Sequence, residues 1–282
     1  MQHITDIIGL RRTLDACRRD GQRIVVVPTM GNLHAGHIHL VEQARLHGEV
    51  VVCTIFVNPM QFGRHEDLDS YPRTLAADME KLRAAGCNVL FAPSVSEIYP
   101  QGLDAHTVVS VPEVSQRHCG ASRPGHFDGV STVVSKLFNL VQPQVALFGL
   151  KDYQQLMVIR KMVIDLCLPV ELVGVPTQRE PDGLALSSRN GYLTPEQRRI
   201  APVLYQTLQD AREQVLQGEA FAAVEAAAGR RLTEAGFRPD YIHISHAETL
   251  DPAQPGDSRL VILAAAWMGG TRLIDNIEIR LP

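Results

Sequence analysis

Apolar residues follow two alternating rhythms along the first two thirds of this chain, and the alternation predicts its architecture. Ile7, Leu10, Leu14 and Cys17 fall at helical spacing. Residues 24–27 then form an unbroken β-branched run, short enough for a strand covered on both faces. Pro28 lacks an N–H for a ladder and is expected to end that strand, with a turn at Gly31-Asn32. From His37 the apolar residues Leu40, Val41 and Ala44 restore helical spacing. Residues 50–56, 89–91, 145–148 and 170–175 read as further strands, with another strand or edge piece at 108–111. Helices are expected over 73–85, along Val130, Val133, Leu137 and Leu140, and along Leu156, Ile159, Val163 and Leu166. Asp152 is placed to cap the last of these, and SRPGHFDGV, ahead of Val130, reads as loop.

Strands alternating with helices imply a parallel sheet covered on both faces, with ligands bound beyond the carboxyl ends of its strands. The loops 30–37, 58–62 and 149–155 all follow such ends, so three distant segments converge by topology. From about Pro176 the pattern changes. Pro181-Asp182-Gly183 is a turn, and Thr194-Pro195-Glu196-Gln197 is a capping box with proline at the first helical position. One long amphipathic helix follows along Ile200, Val203, Leu204, Leu208, Ala211 and Val215, then a second over 220–235. Residues 241–245, 260–265 and 272–277 read as strands. The expected fold class is α/β: a Rossmann-like parallel-sheet domain over residues 1–176 and a smaller α+β C-terminal domain over 177–282.

Composition narrows the function classes. A length of 282 residues holds one large or two modest domains. A net charge of −4 and scattered Lys and Arg leave no basic field for nucleic acid or an anionic membrane. Five cysteines, odd in number and without a C-x-x-C pair, suit a reducing compartment. No stretch has the length of a membrane span or the character of a signal core, so a cytoplasmic protein is expected.

The candidate chemistry sits on the predicted loops. His34, Gly36 and His37 lie at a helix entrance, where unpaired N–H groups and partial positive charge suit phosphate. The glycine fingerprints of dinucleotide sites and P-loops are absent. Lys151, between a strand and a helix, can neutralise phosphate oxygens as charge moves to a leaving group. Ser187, Ser188 and Arg189 bring two hydroxyls and a guanidinium to a polar loop able to close over phosphates. Gln61 donates and accepts at once, which suits a hydroxy acid.

PTMGNLHAGHIHLV, Gly149-Leu150-Lys151-Asp152 with Gln155, and Leu186-Ser187-Ser188-Arg189 stand in the order of the motifs of the pantoate–β-alanine ligases. The chain resembles that family, part of the wider class of His-x-Gly-His nucleotidyl-transferring enzymes. The resemblance implies ATP-dependent ligation of (R)-pantoate with β-alanine, giving pantothenate, AMP and pyrophosphate through a pantoyl adenylate. It also implies Mg²⁺ and a homodimer. On it, His37, His34 and Lys151 are catalytic. ATP would be bound by Met30, Gly31, Asn32, Leu33, His34, Ala35, Gly36 and His37, by Gly149, Leu150, Lys151 and Asp152, by Gln178, and by Leu186, Ser187, Ser188 and Arg189. Gln61 and Gln155 would hold pantoate, and Gln61 also β-alanine. Asp78 matches a position that helps hold the metal, although its pattern alone makes it a helix-surface carboxylate. Leu150 and Leu186 stand where the family often has Glu and Met. The alternative is a nucleotidyltransferase of the same class acting on another small acid or phosphate.

Other tempting residues have plainer expectations. Met60 and Phe62 read as core and His39 as exposed. His118-Cys119 has no partners at metal-ligand spacing. His126 is expected to pack, and His243 and His246 to lie on the solvent side of an edge strand.

Overall fold

The β-branched runs form the middle of a six-stranded parallel sheet in a computed structural model that describes residues 1–63 and 66–281. In chain order the first elements are β1 (Gln2–Ile4), α1 (Ile7–Arg19), β2 (Ile24–Thr29), α2 (Ala35–Ala44), β3 (Val50–Ile55), α3 (Leu75–Ala84) and β4 (Val89–Phe91). Two single turns, α4 (Val95–Ile98) and α5 (Cys119–Ser122), precede α6 (His126–Val141), β5 (Val145–Gly149), α7 (Tyr153–Asp165) and β6 (Glu171–Val175). The strands lie in the order β1-β4-β3-β2-β5-β6. From β2 the chain steps outward to β3 and β4, then returns to β5 on the other side of β2. That boundary is the switch point, where a parallel sheet leaves a crevice at its carboxyl ends.

Both faces are covered, as continuous apolar strands require. Ile24, Val26, Val50, Val52, Phe91 and Phe148 face α1, α6 and α7, while Val25, Val27, Val51, Cys53, Leu90 and Leu147 face α2 and α3. Pro28 does not end β2, which pairs with β3 through Thr29. The Arg23 and Thr29 carbonyls accept from Val50 and Phe56 on the β3 side, whereas that of Ile24 accepts from Gln144. The Pro28 nitrogen therefore faces β5, where pairing already stops at Val26.

The second unit contains α8 (Pro195–Ile200), α9 (Val203–Leu216), α10 (Phe221–Glu234), and the antiparallel strands β7 (Arg238–His246), β8 (Arg259–Met268) and β9 (Thr271–Arg280). Leu260, Ile262, Ala264 and Ala266 of β8 pack with Leu204, Leu208 and Leu232 of α9 and α10. Val261 and Leu263, on the opposite face, join the first core. One strand thus seals both cores.

Several expectations change on contact with neighbours. The Thr194–Gln197 capping box forms, but the long helix behind it breaks, α9 starting only after Pro202. Residues 108–111 join no strand: the Val109 N–H goes to the Thr132 hydroxyl, and its carbonyl accepts from Ser131. Polar side chains of α6 replace a ladder there. That helix starts at His126 behind Gly125, whose φ is 79°, so HFDGV is helical rather than loop. Asp152 occupies the α7 N-cap without a capping hydrogen bond. Among the described residues, no helix is long and apolar enough to cross a membrane.

Candidate active site

The loop after β2 is held from below by α3. Asp78, fully buried, accepts N–H bonds from Asn32 (2.9 Å) and Leu33 (2.8 Å) and a hydroxyl bond from Thr74 (3.1 Å). Lys81 donates to the Leu33 carbonyl at 2.6 Å. Asp78 is therefore no surface carboxylate; its oxygens anchor the loop backbone. Gly31 and Asn32 both take positive φ, 83° and 50°, which turns the chain into α2.

His34 and His37 cap that helix reciprocally. His34 Nδ1 accepts the Gly36 N–H (3.2 Å), and His37 Nδ1 accepts the His34 N–H (3.3 Å), with ring centroids 4.0 Å apart. Two imidazoles play the parts usually taken by Ser or Thr and Glu. Burial lowers His34 to about 4, aided by Lys151, and His37 to about 3, aided by His34. Both rings are neutral near pH 7, and with each Nδ1 an acceptor, each carries its proton on Nε2. The pair offers two neutral Nε2–H donors on a fixed helix end.

Across the switch point, β5 delivers Lys151 in a single turn, Leu150–Asp152. The Lys151 ammonium lies 3.8 Å from the Asp152 carboxylate. Gln61 is 8 % exposed; its Oε1 accepts from Asn58 Nδ2 at 3.1 Å. Asn58, itself 1 % exposed, also donates to the Gly129 carbonyl and accepts from the Tyr99 hydroxyl. A Cβ on Gly129 would come within 2.5–2.6 Å of the Met60 and Gln61 backbone, so α6 needs glycine there. The Ser187 segment closes the site from the second unit. Ser188 Oγ donates to the Asn32 carbonyl at 3.3 Å, and the Arg189 guanidinium pairs with Asp67 at 3.0 Å.

These segments line one cavity of about 220 Å³. Its polar side carries Met30, His34, Gly36, His37, Gln61, Gly149, Lys151, Asp152, Gln155, Gln178, Leu186, Ser187, Ser188 and Arg189. Phe56, Val130, Val133, Val134, Leu137 and Phe148 make an apolar wall opposite. Gly31, Asn32, Leu33, Ala35, Leu150 and Asp78 do not line it. Leu33 is buried in the α2–α3 core, and Leu150 packs against the other core. A second cavity of about 250 Å³ shares Lys151, Asp152, Gln155, Ser187 and Arg189.

A family model for pantoate-beta-alanine ligase matches residues 2–278. The chain belongs to the pantoate–β-alanine ligase family. It is 60 % identical to the pantothenate synthetase of Hahella chejuensis over 96 % of each chain. It is 56 % identical to that of Chromohalobacter salexigens over the full length of both. The crystal structure of the Thermus thermophilus pantothenate synthetase matches at TM-score 0.93, 48 % identity and full coverage of both chains. A Francisella tularensis pantoate-beta-alanine ligase, complexed with beta-gamma ATP and beta-alanine, matches at TM-score 0.82 and 34 % identity, covering 98 % of this chain and 97 % of that one.

In this ligase-family chain several contributors to the site carry no local sequence signal. Asp67 lies in an acidic run that reads as solvated surface, yet it engages Arg189. Arg123 pairs with Glu66, 57 residues earlier. His126, expected only to pack, donates from Nδ1 to the Gln61 carbonyl (2.8 Å) and lines the second cavity. Burial lowers it to about 4, with Arg123 adding to the effect. His118 is buried, its Nδ1 3.0 Å from Nδ1 of an exposed His243. Among the described residues, no three His, Cys, Asp or Glu side chains gather as a metal site.

Proposed function

We propose that the protein joins pantoate to β-alanine with cleavage of ATP, giving pantothenate, AMP and pyrophosphate. The observation that carries this is the cavity itself: two neutral imidazole donors, a lysine, a hydroxyl-and-guanidinium loop and three glutamines line one space beside an apolar wall. Family membership over residues 2–278 supplies the substrate class.

The pantoate carboxylate, held by Gln61 and Gln155, attacks the α-phosphorus of ATP and pyrophosphate leaves. The β-alanine amine then attacks the carbonyl of the pantoyl adenylate and expels AMP. No covalent nucleophile on the protein is needed; positioning and charge stabilisation suffice. His34 and His37 donate Nε2–H bonds to oxygens that gain charge as the phosphorus becomes five-coordinate. Lys151 neutralises the charge that moves to the leaving group, while Ser187, Ser188 and Arg189 grip the outer phosphates. The apolar wall suits the gem-dimethyl carbon of pantoate. Mg²⁺, which adds cationic shielding of the triphosphate, would be held chiefly by phosphate oxygens, since Asp78 already serves backbone donors. The enzyme acts in the cytoplasm, as a homodimer.

Pyrophosphate release from pantoate and ATP, measured with and without β-alanine, tests the scheme. AMP release that depends on β-alanine is expected. A nucleotidyl product that accumulates unchanged when β-alanine is added would instead favour the transferase alternative.

A further inference from the structure

We infer that Asn276, on the C-terminal strand β9, is a positioning residue for Lys151; the inference rests on the function proposed above. The turn that carries Lys151 starts behind Gly149, which has no side chain to cap it, and its last residue, Asp152, makes no capping bond to α7. Its carbonyls are taken from the other unit. Asn276 Nδ2 donates to the Leu150 carbonyl and to the Lys151 carbonyl, both at 2.9 Å, with the residue 7 % exposed. One amide nitrogen has two protons, and both are used on this turn.

Its neighbour binds the opposite phosphate-gripping segment. Successive side chains of a strand point to opposite faces, so Asp275 lies on the other face of β9 from Asn276. It takes the Arg179 guanidinium in a two-bond fork at 2.6 and 2.9 Å and is 4 % exposed. Arg179 also donates to the Gly183 carbonyl and lies 3.5 Å from the Tyr205 ring centroid. It thereby fixes a narrow hairpin, bridged at Arg179 and Ala185 and tied again by the Leu186 N–H on the Gln178 carbonyl. Ser187 follows directly. The Asn276 backbone N–H donates to Asp275 Oδ1 at 2.8 Å, which ties the two neighbours together. Two adjacent residues of β9 therefore set the spacing between the lysine and the loop that faces it.

Steady-state pyrophosphate release from ATP, pantoate and β-alanine, run as a double-mutant cycle on Asn276→Ala and Lys151→Ala, tests this. Displacing a reacting group by about 1 Å can cost on the order of 10²-fold, so Asn276→Ala is expected to lower kcat by about 10- to 100-fold. With Lys151 already removed, the same change is expected to alter kcat by less than about threefold, because residues acting as one unit are not additive. Parent-like kcat and ATP KM in Asn276→Ala overturn the inference. So does an equal loss in both backgrounds, which would make Asn276 a support of the fold alone. Should Asn276→Ala fail to fold, Asn276→Ser replaces it in the same cycle, read against the same two outcomes. A parent enzyme that releases no pyrophosphate would instead remove the functional proposal on which the inference stands.

Discussion

The two sides of the candidate active-site cavity are built differently. The imidazole loop is bound to buried Asp78, to Lys81 and to its own reciprocal caps, and rests on a core strand. Among the described residues, the Ser187 segment opposite is held to the first unit by a hydroxyl bond at 3.3 Å and by an ion pair whose side chains are 32 % and 23 % exposed. Charge stabilisation in a transition state needs donors that do not reorganise, whereas substrate entry needs a contact that opens. On the function proposed above, chemistry belongs to the fixed side and ATP admission to the releasable one.

Removing a donor from the fixed side is the largest test. His37→Ala is expected to lower kcat by roughly 10²–10³, the usual effect of losing one preorganised donor; a purified variant that turns over like the parent would place the chemistry elsewhere. Next comes the anchor. Asp78→Ala strands two backbone N–H groups and a hydroxyl, each costing about 1–3 kcal/mol when buried, so stability should drop by about 3 kcal/mol or more. Urea unfolding midpoints check this, and an unshifted midpoint would show that the loop does not depend on α3.

Acid should find that side too, together with two buried rings elsewhere. His34, His118 and His126 titrate at about 4 and His37 at about 3, all below the ordinary 6.5 of an unfolded histidine. Between pH 6.5 and about 4 the unfolded chain binds more protons than the folded one, so stability falls as pH is lowered through that window. Above 6.5 these four groups leave stability flat. Unfolding midpoints taken at half-unit steps would contradict the burial of the rings if they rose on acidification. The smallest effect belongs to the releasable side. Asp67→Asn weakens a part-buried, two-bond pair with Arg189; since even exposed pairs are worth roughly 0.2–1 kcal/mol, the KM for ATP should fall by about 1.4-fold or more with kcat little changed. A large kcat loss there would erase the contrast between the two sides.

What could be read from the chain beforehand follows the same division. A buried strand, a glycine turn and an amphipathic helix are local patterns, so the placement of His34, Gly36 and His37 was legible, as were the paired motifs around Lys151 and Ser188. The anchors were not. One carboxylate on a helix face looks solvated until its partners, 45 and 46 residues away, are folded beneath it. Residues 108–111 had the composition of a strand but found side-chain hydroxyls in place of a neighbour. Pro202 split a helix whose apolar period runs on through the break. The reach of Asn276 across to Lys151 spans 125 residues and has no motif at all.

Pro28 has a consequence of its own. In a sheet zipped on both sides, β2 and β5 would run together to their tips and leave no room for a guest. An imino acid on the β5 side gives the zipper no tooth at that level, while the other side stays fastened through Thr29. The two central strands fork just there, and Pro28, Thr29, Phe148 and Gly149 become walls of the opening.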